Sequence, residues 1–103
     1  MKILEDCFGR HVRLTAERLA HILEHPEMRA MEMEVEQVLR WPTLVRRSRS
    51  DETVWLYYGF YAHTRVGGKW LCVVVKYALQ DAFVVTAYLT DKPKVGEKLW
   101  PTK

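Results

Sequence analysis

The 103 residues have the length of one domain, and a composition of 49% hydrophobic and 28% charged residues is typical of a globular chain, not a disordered one. The unbroken apolar runs, such as Leu71 to Val75, are far short of the ~20 residues that a membrane-spanning helix needs. We therefore predict a single domain over residues 1–103 with no membrane partner. Because Cys7 and Cys72 fit no metal or redox spacing and no signal peptide is present, we expect a reduced, cytoplasmic protein.

The formal net charge of +3 is unevenly distributed along the chain. Residues 24–36 contain five glutamates and one arginine, whereas residues 40–49 contain four arginines and no acid. Such a separation fits a polyanionic partner on one side of the molecule. An ordinary solvated surface is the competing interpretation.

Two amphipathic helices are predicted in the first part of the chain. Thr15 is a typical N-cap, Leu19, Ile22 and Leu23 follow at helical spacing, and Pro26 ends the first helix. The second helix is predicted from near Glu27 up to Pro42. Each helix has one apolar stripe, which needs a surface to pack against.

Beyond Pro42 the pattern changes to β-strands. Four strands are predicted at Leu44–Ser48, Val54–Tyr61, Lys69–Tyr77 and Ala82–Leu89, and the rest of the chain is predicted to be an extended tail. Gly67 and Gly68 form a hairpin signal between two of these strands. The sequence therefore predicts an α+β fold with two N-terminal helices packed on a four-stranded antiparallel sheet.

Alternation along the strands separates two faces of the predicted sheet. The register expected beneath the helices consists of Val54, Leu56, Tyr58, Phe60, Leu71, Val73, Val75, Tyr77, Phe83, Val85, Ala87 and Leu89. The register expected to be open consists of Trp55, Tyr57, Tyr61, Trp70, Cys72, Val74, Lys76, Val84, Thr86 and Tyr88. The open face has too many aromatic side chains to be left exposed to water and too many polar ones to form a second core. We therefore predict that it binds a ligand or partner.

Three basic side chains lie on one stripe of the first helix, namely Arg18, His21 and His25. A histidine can give or take a proton near neutral pH, as general acid–base catalysis requires, although a solvated helix surface explains the same residues. Since Ile22 stands where a zinc protease has glutamate and no third ligand is evident, we predict no metal and no cofactor.

The open face also contains groups suited to an RNA phosphate and to unpaired bases. Lys76, Thr86 and Tyr88 can hold a phosphate and stabilise charge on it, and Arg46 and Ser48 join them if their register agrees. Trp55, Tyr57, Trp70 and Tyr88 can stack bases. A protein–protein interface is enriched in the same residue types, and composition does not separate these interpretations.

Several segments resemble phage-associated nuclease domains of the barnase, EndoU, colicin and RelE-like superfamily. The resemblance runs from about residue 12 to residue 100, and its order and spacing are more specific than any single motif. It is carried by His21–Glu27 (HILEHPE), Pro42, Val45, Ser48, Leu56–Tyr58, Lys69–Lys76 (KWLCVVVK) and Val84–Tyr88 (VVTAY).

The resemblance implies a toxin-like, metal-independent endoribonuclease, in which the ribose 2′-hydroxyl attacks the phosphodiester and leaves a 2′,3′-cyclic phosphate. It implies His21 as general base with His25 next, and Thr86 and Tyr88 as the strand residues that position the phosphate. The residues themselves add Lys76 with Arg46 or Arg47 to stabilise the charge of the transition state. The predicted RNA contacts are Arg18, Arg46, Arg47, Ser48, Trp55, Tyr57 and Trp70. No strand carboxylate matches the base of barnase-like members. The alternatives are a non-catalytic RNA-binding module and a protein-interaction domain, whose partner is an antitoxin or immunity-type protein or a second copy of the chain.

Overall fold

A computed structural model describes residues 1–102, which form one seven-stranded mixed sheet and two α-helices. The strands are β1 (Lys2–Glu5), β2 (His11–Leu14), β3 (Leu44–Arg47), β4 (Val54–Thr64), β5 (Gly67–Ala78), β6 (Asp81–Thr90) and β7 (Glu97–Trp100), and the helices are α1 (Ala16–Leu23) and α2 (Glu32–Arg40). The sheet order is β1-β2-β6-β5-β4-β3-β7; β2 and β6 are parallel, and the other neighbours are antiparallel.

The predicted four-stranded antiparallel sheet is therefore wrong, although the α+β class holds. The three strands that were not predicted, β1, β2 and β7, are each only four residues long. So short a segment gives little alternation to recognise, and β2 and β7 pair with strands far away in the sequence. In the described chain, neither helix is long and apolar enough to cross a membrane.

The start of each helix is fixed by the residues just before it, an N-cap at α1 and a turn at α2. At α1, the Thr15 hydroxyl accepts a hydrogen bond from the Arg18 backbone N–H at 3.1 Å, as predicted for an N-cap. The second helix begins at Glu32 and not near Glu27. Residues Pro26–Met28 form a 3₁₀ turn, and Ala30 has a φ of 65°, which no α-helix accommodates.

The helices cover one face of the sheet, which we call the helix-covered face. Ile22 of α1 and Val35 and Leu39 of α2 are buried there against a set of strand residues that includes Tyr57, Leu71, Val73, Val75, Val84 and Ala87. Removing these side chains from water is the main contribution to the stability of the fold. The opposite side is called the helix-free face below.

The register predicted for β4 is wrong. Tyr57 pairs with Val73 and Tyr58 pairs with Cys72, so Tyr57 is on the helix-covered face and Tyr58 on the helix-free face. The segment VWLYYGFY is apolar or aromatic in both registers, so alternation alone could not choose between them. Gly59 helps to fix the register, because a Cβ there would lie 2.8 Å from the Val38 side chain of α2.

The register of β6 is partly wrong for a different reason. A bulge opposite Val74 and Val75 adds one residue to β6, so Val75 pairs with Val84 while Val74 pairs with Thr86. Val84 therefore enters the core, and Phe83, which pairs with Lys76, does not. Ala87 and Leu89 are on the helix-covered face as predicted.

Residues 91–96, which we call the crossover strap, connect β6 to β7 across the helix-free face. The Lys94 backbone N–H donates to the Tyr58 hydroxyl at 3.0 Å, and Arg46 Nη1 donates to the Lys94 carbonyl at 2.6 Å. Gly96 lets the strap approach β3, because a Cβ there would lie 2.4 Å from the Arg47 carbonyl oxygen. The predicted extended tail is thus wrong, and the segment is a crossover followed by a strand.

The turn between β1 and β2 closes one end of the helix-covered core. Asp6, which is wholly buried, accepts from the backbone N–H groups of Phe8 (2.9 Å) and Arg10 (2.8 Å) through Oδ1. Its Oδ2 accepts from the hydroxyls of Tyr57 and Tyr77, both at 2.7 Å. Four hydrogen bonds offset the cost of burying this carboxylate and fix the turn on the sheet.

Candidate nucleic-acid interface

The structure divides the predicted site residues between the two sides of the sheet. The helix-free side contains Arg46, Ser48, Trp70, Lys76, Thr86 and Tyr88, whereas the other side contains Arg18, His21, His25, Arg47, Trp55 and Tyr57. The predicted catalytic group is therefore not brought together. Helix α1 packs on β6 through Ile22, in the same cluster as Val84 and Ala87. Tyr88 packs on the opposite side against Tyr58 and Cys72.

On α1, the predicted histidines face solvent. His21 and Arg18 line a shallow depression with Thr15 and Glu17, and the His21 side chain is 60% exposed. His21 Nδ1 lies 3.8 Å from Glu24 Oε1, and the rings of His21 and His25 meet edge to face at 6.4 Å. These groups are open to solvent, but the sheet separates them from Lys76, Thr86 and Tyr88.

Trp55 and Tyr57, predicted to stack bases, do not reach the helix-free face. Tyr57 is wholly buried in the core, and Trp55 packs against Phe8 and Tyr77. Arg47 pairs with Trp55 in the sheet and lies 3.3 Å from the Glu97 carboxylate, so it too points away from the helix-free face. The misassigned register of β4 explains the error for both aromatic residues.

The helix-free face has a small apolar floor beneath the crossover strap. Leu56, Tyr58 and Cys72 are buried there, and the half-buried side chains of Leu44, Val54, Trp70, Val74 and Tyr88 surround them. Where the strap meets β4, a cleft of about 330 Å³ opens. The cleft is lined by Ser48, Arg49, Ser50, Val54, Leu56, Val74, Tyr88, Lys94 and Val95.

The rim of this cleft contains cations and hydroxyl groups. Arg49 and Lys94 are exposed, and within residues 1–102 neither side chain makes an ion pair. Ser48 and Ser50 share a hydrogen bond between their hydroxyls at 3.1 Å. Two unpaired cations beside two hydroxyls and an aromatic ring can bind a phosphate and an adjacent base.

Lys76 is already engaged by a carboxylate. Its Nζ donates to Asp51 Oδ2 at 3.0 Å, while Asp51 Oδ1 accepts from the hydroxyl and backbone N–H of Thr53. The hydrogen bond from the Thr53 hydroxyl, followed by that from Lys76, lowers the pKa of Asp51 to about 2. A carboxylate with so low a pKa is a poor general base, so this pair offers charge but no proton acceptor near neutrality.

The acidic groups of the floor remain protonated near neutral pH. Burial raises the pKa of Cys72 to about 11 and that of Tyr58 to about 12, and burial also raises the pKa of Tyr88. Cys72 is therefore not an activated nucleophile, and Tyr88 acts as a hydrogen-bond donor and stacking ring.

Searches against protein-family models, curated proteins and solved structures find no match to this chain. The resemblance to the barnase, EndoU, colicin and RelE-like superfamily therefore stays a prediction from sequence. Among residues 1–102, no three His, Cys, Asp or Glu side chains cluster closely enough to hold a metal ion.

Sequence reasoning missed the strap side of the cleft. Lys94 and Val95 were assigned to a tail, and Arg49 and Ser50 to a turn, so none of the four was included in the predicted site. Charge was the available signal, because Lys92 and Lys94 add to the positive charge of residues 40–49, but charge alone does not show which surface the segment crosses.

Proposed function

We propose that this protein binds single-stranded RNA on its helix-free face, with the strap cleft as the principal contact. The observation that carries the proposal is the cleft itself, where unpaired Arg49 and Lys94 border the half-buried ring of Tyr88 over an apolar floor. Proteins that bind single strands combine a basic groove for the backbone with aromatic rings for the bases. Trp70, near the other end of the same floor, supplies a second ring.

RNA binding by the cleft does not depend on RNA cleavage, so the two activities are separate proposals. The endoribonuclease activity implied by the sequence resemblance requires a proton acceptor, and the predicted ones, His21 and His25, are on the other side of the sheet. RNA bound in the cleft reaches them only by passing round the sheet. The geometry therefore supports the binding proposal better than the catalytic one.

We further propose that the protein works in the cytoplasm. Cys7 and Cys72 are both free, and they pack against the clusters on opposite faces of the sheet, so they cannot form an intramolecular disulfide. Two free thiols fit a reducing compartment. A protein partner on the same face, or a second copy of the chain, is the rival occupant of the cleft.

The binding test uses a fluorescein-labelled 12-nucleotide RNA without secondary structure, with anisotropy measured from 50 to 300 mM salt. We expect the double variant Arg49→Gln and Lys94→Gln to bind at least tenfold more weakly. We also expect its plot of log K against log salt to be flatter by about 1.4, since each phosphate contact on a single strand contributes about 0.7. The control Arg29→Gln removes one charge from the loop between the helices, where Arg29 is exposed, and it is compared with the single variants Arg49→Gln and Lys94→Gln, which also remove one charge each.

A second variant tests the stacking contact. Tyr88→Leu keeps an apolar side chain on the floor but removes the ring, and we expect a loss of about 1–3 kcal/mol, since that is the usual worth of one stacked base. Equal weakening by Arg29→Gln and by the double variant contradicts the proposed face. The proposal is also contradicted if the protein does not bind the RNA and light scattering shows that it is a dimer, since a second copy would then cover the cleft.

Cleavage is tested separately with end-labelled RNA in EDTA and analysis of the product ends. Cyclic phosphate ends that disappear in the double variant His21→Ala and His25→Ala, with RNA binding intact, support the endoribonuclease. Intact RNA after long incubation across a broad panel ends that proposal and leaves the binding proposal unaffected.

A further inference from the structure

A second polar feature lies at the end of the sheet where the β1–β2 turn packs, away from the strap cleft. The Arg10 guanidinium is surrounded by three aromatic rings, with its Cζ 4.1 Å from the ring centre of Trp55, 4.4 Å from that of Tyr77 and 5.0 Å from that of Phe8. Stacking of this kind holds a guanidinium in one orientation and weakens its hydration. Arg10 is therefore a preorganised cation.

The Asp6 carboxylate lies beside the Arg10 guanidinium but accepts no hydrogen bond from its N–H groups. Arg10 Nε is 3.7 Å from Asp6 Oδ2, which is beyond a good hydrogen bond, and both oxygens of Asp6 already accept other hydrogen bonds. Arg10 Nε is buried without a hydrogen-bond partner, and the side chain as a whole remains 41% exposed. Within residues 1–102, neither Nη atom makes a hydrogen bond, so the fork of donors is unoccupied.

The surroundings of Arg10 add hydrogen-bond donors, and the carboxylate in the lining of the cleft is already paired, whereas the exposed Glu5, opposite His11 in the β1–β2 pair, is outside that lining. Arg10, His11, Tyr77, Gln80 and Asp81 line a cleft of about 360 Å³. Asp81 is the carboxylate of this lining, and Arg13 binds both of its oxygens, at 3.0 and 2.8 Å. His11 and Gln80 are exposed and offer an imidazole and an amide beside the guanidinium.

We propose that this cleft binds a phosphate monoester, held by the Nη groups of Arg10 with His11 and Gln80 as further donors. A guanidinium fork matches two oxygens of a phosphate or a carboxylate equally well. The additional donors of His11 and Gln80 favour the group with a third oxygen. The site is independent of the RNA-binding proposal, since it lies on another part of the molecule and takes a compact dianion.

The test is a titration of ¹⁵N-labelled protein at constant ionic strength, followed through the backbone amides and the Arg10 Nε resonance. Inorganic phosphate and adenosine 5′-monophosphate should give saturable shifts in the signals of residues 10, 11 and 80, which are followed separately from those of Arg49 and Lys94 in the strap cleft, and adenosine should give no shift at residues 10, 11 and 80. Equal binding of phosphate and the nucleotide assigns the site to the phosphate group alone, whereas tighter binding of the nucleotide assigns it to a nucleotide. Acetate that binds as tightly as phosphate overturns the phosphate assignment.

Substitutions decide whether the fork itself is responsible. Arg10→Lys keeps the charge but loses the paired donors, and we expect phosphate affinity at this cleft to fall at least tenfold, whereas the matched control Arg29→Lys, an exposed arginine outside both clefts, leaves it unchanged. If Arg10→Lys does not fold, His11→Ala replaces it, because His11 is exposed and its removal should weaken phosphate binding two- to fivefold. Unchanged affinity in whichever variant folds, or shifts spread over every basic residue, overturns the proposal.

Discussion

The two faces of the sheet differ in how much apolar surface they bury and in which elements cover it. On the helix-covered face, two helices and the β1–β2 turn bury a continuous apolar cluster, and a wholly buried carboxylate at its end has all of its partners. On the helix-free face, the buried cluster among residues 1–102 consists of Leu56, Tyr58 and Cys72, and one six-residue strap crosses it. The fold thus depends mostly on one face, and the other is free to carry side chains that bind.

The polar groups of the two faces differ in the same way. Asp6 is buried and is hydrogen-bonded by protein groups, so its loss leaves several donors without partners. The Lys76–Asp51 pair is exposed to water, which replaces either partner at little cost. Substitutions in the buried core of the helix-covered face should therefore change stability, and substitutions on the helix-free face should change RNA binding.

The largest effect is expected from Asp6→Ala. The change leaves the hydroxyls of Tyr57 and Tyr77 and two backbone N–H groups without their acceptor, and it leaves the Arg10 charge without its counterion. We expect the free energy of unfolding to fall by about 3–5 kcal/mol. Urea unfolding followed by circular dichroism measures the change.

The control is Asp91→Ala, which removes an exposed carboxylate paired with Lys69 on the surface. Its expected cost is about 0–1 kcal/mol, as for other exposed ion pairs. Similar losses in both variants would mean that the β1–β2 turn is not fixed by Asp6.

The fold was predictable where alternation and capping were unambiguous. Thr15 marked the start of the first helix, and alternation in β5 separated Val73 from Cys72 on the correct faces. Prediction from alternation failed in β4, where both registers are apolar. It also failed at the four-residue strands, of which β2 and β7 pair with strands distant in the chain. Long-range pairing, such as that of β2 with β6, leaves no local pattern to read.

The candidate site was predictable only in part, for a related reason. Lys76, Thr86 and Tyr88 share the helix-free face because alternation along each strand relates them. The helices were predicted on the opposite face, so the separation of His21 from these three residues follows from the predicted arrangement itself. The strap was missed because a Pro- and Gly-containing segment has no periodicity to show which surface it crosses.

The second prediction compares neighbouring valines on β5, which point to opposite faces. Val73 is wholly buried beneath the helices, whereas Val74 is half-buried beside the strap cleft. We expect Val73→Ala to lower the free energy of unfolding by about 2 kcal/mol, from lost burial and the cavity left behind, and Val74→Ala to lower it by less than about 1 kcal/mol.

Since the two substitutions are identical and adjacent, differences in strand propensity cancel, and urea unfolding reports the two environments. An equal loss at both positions would show that the strap buries its face as thoroughly as the helices bury theirs. That result would also weaken the proposal that the helix-free face binds RNA.

The smallest effect is expected from Asp51→Asn, and it depends on pH. The folded-state pKa of Asp51 is lowered to about 2 from an ordinary value near 3.8, chiefly by the Thr53 hydroxyl and then by Lys76. A lowered folded pKa means that the carboxylate contributes stability that is fully present above pH ~4 and is lost as pH falls through about 2. The difference in unfolding free energy between the wild type and Asp51→Asn should therefore be constant from pH 5 to 7, shrink below pH 4 and vanish near pH 2. Urea unfolding at each pH measures this difference. The variant Glu52→Gln controls for net charge, because it removes a neighbouring exposed charge that has no ion pair in the described chain.

A difference that grew as the solution became more acidic would contradict the pairing of Asp51 with Lys76. It would also leave Lys76 free to join Arg49 and Lys94 as a third cation for RNA.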